Sequence, residues 1–177
     1  ISRPKQASFG AAVKRLWHKP TSDIFLLMED DWEVLHPIKS EDVLPRFTGP
    51  VVQVQLASRD RLYLPKTYAF RASWRKTLGV KIFKKVHLDD PLFATSPSFV
   101  TASFAKACAE MMDPDKDPEK QLIAPGTPLR DFTHGFRNHP LQAPGRKAIV
   151  RDLGRDWLSK RGLRKRIEDG VSMWDRV

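Results

Sequence analysis

From Ser8 onward, Phe9, Ala12, Val13, Leu16 and Trp17 recur at helical spacing, and Ser8 stands where an N-cap belongs. The pattern predicts a helix over residues 8–17. Residues 18–23 hold Pro20 among small polar groups and predict a turn that delivers the chain into Ile24, Phe25, Leu26, Leu27 and Met28. A short unbroken apolar run of this kind reads as a strand buried on both faces. After Gly49 and Pro50, residues 51–56 alternate apolar and polar side chains, the signature of a half-exposed strand. A further strand is expected within 79–88, around Val80, Ile82 and Val86. Val100, Phe104, Ala107 and Met111 then fall on one helical face, predicting a helix over 98–112 with Ser98 near its cap. Six prolines between Pro114 and Pro144 predict a long irregular region over 113–145. The tail from Trp157 reads as short helices interrupted at Gly162 and Gly170.

A chain of 177 residues, 41% apolar and 29% charged, can close one core and has no room for a second full domain. A single domain over 1–177 is therefore expected: sheet and helices over 8–112, the irregular region over 113–145 and a basic C-terminal segment over 146–177. No apolar run approaches the roughly 20 residues of a membrane-spanning helix, so no transmembrane segment is expected. The lone Cys108 sits in an Ala-rich apolar stretch and reads as core; one cysteine suits a reducing compartment, and a cytoplasmic location is expected. The start at Ile1, followed by polar residues, reads as a processed or truncated product.

Charge adds a sharper signal. The net charge is +10, with nine basic residues and one acid over 59–88, and ten basic residues and five acids over 146–177. Against this basic frame, residues 29–42 carry six acids and one base. Glu29, Asp30 and Asp31 follow directly on the apolar strand, where three ionised carboxylates repel one another and resist burial. A divalent cation held by hard oxygen ligands relieves that conflict, and Mg2+ or Mn2+ kept partly hydrated can also take phosphate oxygens. An acidic turn steadied by Lys and Arg neighbours accounts for the same residues. His134 and His139 lack the companions of a zinc site, and no GxGxxG, Walker or GxSxG motif is present.

The segments Ser8–Trp17 and Asp23–Glu33, the latter containing MEDDW, resemble a helix, buried strand and DxD-type acidic motif of GT-A fold glycosyltransferases, particularly the inverting family 2. Residues 52–56, 95–99 (TSPSF), 117–121 (DPEKQ) and 149–157 (IVRDLGRDW) are similar, in order, to that family's following strand, acceptor-side segment, base motif and closing segment. The resemblance covers about residues 8–157 and implies an α/β fold: a partial GT-A, Rossmann-like mixed sheet flanked by helices, with long irregular acceptor-side loops. It implies transfer of a sugar from a nucleotide-diphosphate donor to an acceptor hydroxyl of a glycan, lipid-linked sugar, protein or nucleic acid. Glu29, Asp31 and Asp152 would then serve a Mn2+ or Mg2+ ion, and Asp30, Asp31, Trp32, Arg151 and Arg155 the donor. Glu119 would be the base of an inverting displacement, with Asp115 and Asp117 near enough to substitute. Other readings of these residues stand beside it: Glu119 as a helix-start acid after Pro118, Trp32 as core, Arg151 and Arg155 as exposed charges. Only about 23 residues precede the motif strand, so against the resemblance either a leading segment is missing, or the chain is a reduced relative, or a partner chain completes the sheet. Two alternatives remain open: a basic nucleic-acid-binding or structural protein using Tyr63, Tyr68, Phe70 and Trp74 among its cations, and an inactive glycosyltransferase-like fragment.

Overall fold

The computed structural model describes residues 8–58, 72–77, 80–85, 93–168 and 171–176. Its elements run α1 (Phe9–Trp17), β1 (Ile24–Leu27), β2 (Trp32–Val34), α2 (Ser40–Val43), β3 (Val51–Leu56), β4 (Ala72–Thr77), β5 (Val80–Lys85), β6 (Ser98–Thr101), α3 (Ala102–Met111), α4 (Pro118–Ile123), α5 (Pro128–His134), β7 (Arg137–Leu141), β8 (Val150–Asp152), α6 (Leu153–Lys160), β9 (Leu163–Glu168) and β10 (Val171–Arg176). Among the described residues the largest sheet has four strands in the order β1-β6-β3-β7. β6 is antiparallel to both its neighbours, whereas β3 and β7 are parallel. Three antiparallel pairs, β2 with β8, β4 with β5 and β9 with β10, stand apart from it. The fold is α/β with a mixed sheet and flanking helices.

Successive residues of a strand face opposite sides, and Phe99 and Val100 of β6 accordingly join two different cores. The Val100 side is covered by α1, α3, α4 and α5, with Val13, Trp17, Phe93, Cys108 and Leu122 buried. Phe104 lies at its centre, its ring 5.0 Å from that of Phe93 and 5.3 Å from that of Phe136. Cys108 is part of this core, as its sequence context predicts, and burial pushes its thiol well above the ordinary range. The Phe99 side gathers Val43, Val51, Val54, Leu56, Leu141, Ile149 and Val150.

α1 follows its pattern closely. Ser8 Oγ accepts from the Ala11 amide at 3.2 Å and donates to the Pro114 carbonyl at 2.8 Å, so the cap also ties the helix to the segment leading into α4. Lys14 Nζ adds a 2.9 Å bond to the Met112 carbonyl. Gly10 faces the same segment with no room to spare: a Cβ there would come within 2.4 Å of the Lys116 carbonyl oxygen and 2.5 Å of that of Pro114.

Several expectations are corrected. β1 and β3 exchange roles: β1 is an edge strand among the described residues, with Leu26 and Met28 about two-fifths exposed, while β3 lies between β6 and β7 and is covered on both faces. Gln53, which alternation places toward solvent, is 1% exposed because its amide donates to the Ala94 carbonyl at 2.8 Å and to Ser98 Oγ at 3.0 Å. The predicted helix over 98–112 starts four residues later. Ser98–Thr101 pair with β1 and β3, and the helical spacing of Val100 with Phe104 is coincidental across the strand-to-helix junction.

The region over 113–145 is not irregular. Pro118 and Pro128 open α4 and α5 at the first helical position, where a missing N–H costs nothing, and Pro140 lies in β7, which has β3 as its single described neighbour. The tail forms one helix and a hairpin rather than short helices. Gly162, at φ 62°, ends α6 in the left-handed conformation and turns the chain into β9. Val86, Gly170 and the aromatic residues Tyr63, Tyr68 and Phe70 lie outside the described residues, as does most of the basic stretch 59–88.

Candidate active site

β1 ends at Leu27, and the acids that follow it meet two other parts of the chain. The first is the start of α6. The Leu153 amide donates to the Asp31 carbonyl at 2.9 Å, and β2 pairs with β8 so that Trp32 stands opposite Asp152. This approach depends on Gly154, since a Cβ there would come within 2.0 Å of Asp31 Oδ2. Asp152 caps α6, accepting from the Arg155 amide at 2.7 Å. The second part is the start of α4, where Glu119 leaves its helix to reach back to Thr95. Its Oε1 accepts from both the amide and the hydroxyl of Thr95, each at 3.1 Å.

Four carboxylates thus come within electrostatic reach of one another. Glu29 is half-buried, and burial pushes it above the ordinary carboxylate range; a 3.3 Å hydrogen bond from Trp32 Nε1 opposes the rise, and Asp31, Glu119 and Asp152 add to it by repulsion. Asp31 is more exposed yet also raised, first by its partial burial and then by Asp152. The acidic motif therefore carries electrostatic tension that a cation, a proton or a neutral substitution relieves. Glu29→Gln keeps an acceptor for Trp32 and removes one charge. Because the folded carboxyl titrates above its unfolded value, stability from its protonation is present at low pH and lost as pH rises through the folded value. The expected result is a melting temperature a few degrees above wild type at pH 7.5, with the difference gone at pH 4, by thermal scans of both proteins.

The other candidate residues are placed as follows. Asp30 is exposed, and its charge adds slightly to the rise at Asp31. Trp32 is half-buried against the Phe99-side cluster with its indole N–H donating to Glu29. Arg151 pairs with Glu33 across β2 and β8, and Arg155 Nε lies 3.2 Å from Asp152 Oδ2, so both cations are engaged with carboxylates of this chain. Asp117 is buried as the cap of α4, accepting from the Lys120 amide, and Asp115 is exposed. The ligand set of Glu29, Asp31 and Asp152 is not drawn together as one. Among the described residues no three His, Cys, Asp or Glu side chains converge closely enough to hold a metal ion, and Asp152 is spent on α6 and Arg155.

Pattern reading missed Thr95, Gly154 and Gln53. Thr95 lies in the TSPSF segment, where two serines and a proline signal a turn but not a donor pair. Gly154 had a sequence signal, a glycine two residues after an acid at a strand end. No family model, curated protein or solved structure matches the chain.

Proposed function

We propose that the chain transfers a sugar from a nucleotide-diphosphate donor to an acceptor hydroxyl, on a partial GT-A fold in a reducing, cytoplasmic setting. The observation that carries this reading is that Glu29 and Asp31, after the end of β1, lie within electrostatic reach of Asp152, and Glu29 also of Glu119. Ligands of open α/β sheets sit beyond the carboxyl ends of strands, which is where these acids lie.

Glu29 and Asp31 suit a Mg2+ or Mn2+ ion: both are hard oxygen ligands whose titration is raised first by burial and further by the charge of neighbouring acids. Two protein carboxylates suffice for an ion that keeps water and takes phosphate oxygens. Such an ion, when bound, neutralises the diphosphate and stabilises it as a leaving group. Glu119 receives the proton of the acceptor hydroxyl. The acceptor oxygen bonds to the anomeric carbon as the bond from that carbon to the phosphate oxygen breaks, its electron pair leaving with the diphosphate. Inversion of the sugar follows from the family resemblance. Arg151 and Arg155 can exchange carboxylate for phosphate at small cost, since exposed ion pairs contribute only about 0–1 kcal/mol. Among the described residues the outer edge of β1 has no neighbouring strand, which suits a further strand from a leading segment or partner chain.

Tryptophan fluorescence during titration with UDP and with GDP, with and without Mn2+, tests the reading, because Trp32 reports directly on Glu29. Saturable change that needs Mn2+ and is abolished in Asp31→Ala is expected. No change from a protein shown to be folded would overturn a working donor site in this chain and favour the inactive-fragment alternative. Nucleic-acid binding is the second reading, favoured by the half-exposed Trp157 on α6 with the Arg161 guanidinium 3.9 Å from its ring centroid. It predicts binding that falls steeply with salt and ignores Mn2+.

A further inference from the structure

We propose that Thr95 is a positioning residue for Glu119: it fixes Oε1 and thereby assigns Oε2 as the oxygen that receives the acceptor proton. The inference rests on the sugar-transfer reading. Thr95 is 3% exposed, and both its donors fall on the same carboxylate oxygen. Glu119 Oε2 accepts no hydrogen bond from the described residues. Two bonds from one residue to one oxygen fix the direction in which the other oxygen points. A glutamate serving only as a helix-start acid would stay over its own helix, yet this one reaches across 24 residues of sequence.

Thr95 is itself held from both sides. Before it, the Ala94 carbonyl accepts from Gln53 Nε2; after it, Ser96 Oγ accepts from Gln55 Nε2 at 2.9 Å, and the Pro97 carbonyl accepts from the Leu56 amide at 2.9 Å. Ser98 Oγ, which accepts the second Gln53 bond, donates to the Ser96 carbonyl at 3.0 Å. The central strand β3 therefore anchors residues 94–98 by its side-chain amides and backbone, and that strap presents Thr95 to α4. This gives the buried Gln53 a purpose beyond packing. An amide in the sheet core costs desolvation unless it is bonded, and here its bonds set the geometry of a carboxylate on another element.

The test uses the full chain labelled with 13C at glutamate side-chain carboxyls, the Glu119 resonance being identified by its loss in Glu119→Gln. In Thr95→Val that resonance is expected to move, and in Thr95→Ser to return to the wild-type position. In parallel, diphosphate release is followed across a panel of UDP- and GDP-sugars. Thr95→Val should lower kcat by about 10- to 100-fold with the donor KM within about twofold, and Thr95→Ser should restore it. Thr95→Ala is read in the same way should the valine variant fail to fold. An unmoved resonance overturns the proposal, and so does a wild-type kcat in a folded Thr95→Val. A moved resonance in a protein that consumes no sugar donor supports the clamp and overturns the transfer reading instead.

Discussion

Gly10→Ala is expected to lower the melting temperature of the chain by roughly 4–8 °C, the equivalent of about 2 kcal/mol in a protein of this size. The sign is opposite to helix propensity, by which alanine gains about 1 kcal/mol over glycine in a helix interior. Packing decides it. The new methyl would lie within 2.4 and 2.5 Å of two carbonyl oxygens, those of Lys116 and Pro114, and both belong to backbone already bonded to α1 through Ser8 and Lys14. Neither can withdraw without opening the seam between α1 and the approach to α4, and overpacking of this kind costs about 1–3 kcal/mol and sometimes more. Gly135→Ala is the control, because its Cβ would meet only the Phe132 carbonyl oxygen at 3.8 Å and should leave the melting temperature nearly unchanged. A Gly10→Ala protein that melts with wild type would show that the seam yields and that α1 is not seated as described.

Glu119→Gln is expected to lower sugar transfer by about 100- to 10,000-fold, the usual contribution of a positioned general base. Glutamine is nearly the same shape and retains an oxygen for Thr95, so Mn2+-dependent nucleotide binding and the melting temperature should stay at wild-type values. That separation distinguishes a base from a residue that builds the site: Asp31→Ala removes binding, whereas Glu119→Gln leaves binding and removes turnover. Asp115→Asn, an exposed change in the same loop, should leave both intact. Equal turnover by Glu119→Gln and wild type would remove Glu119 from the chemistry and leave it as an anchor between α4 and the Thr95 strap.

Local signals carried well through the first helix, because Ser8 and the 9–17 periodicity act within a few residues, and the run 24–28 gave a strand though not its burial. They failed where distant partners decide. Gln53 lies buried with its amide nitrogen bonded to Ala94 and Ser98, 41 and 45 residues away, and no alternation pattern contains that information. The edge position of β1 is likewise a property of the sheet order, not of its own apolar run. The prolines misled for a different reason: a proline stops a helix from within but starts one at its first residue, and Pro118 and Pro128 do the latter. Residues 29–31 of the candidate site were legible as acids in conflict at a strand end, since charge conflict is visible in one dimension, whereas 119 and 152 were singled out only by the family resemblance. Thr95 was not legible, for it matters only through the side chain that another segment brings to it, and Gly154 showed as a glycine near an acid without showing what it makes room for.

The bonds that join this site also determine when it comes into being. Asp31 is fixed to Leu153, Glu119 to Thr95 and Ala94, next to Thr95, to Gln53 of β3, so each constraint closes a long loop and none is satisfied by its neighbours in sequence. Such contacts cost chain entropy before they return any stability, which makes them features of the finished fold rather than of its early stages. The acids keep their register only while the strands and loops that carry these bonds stay folded together.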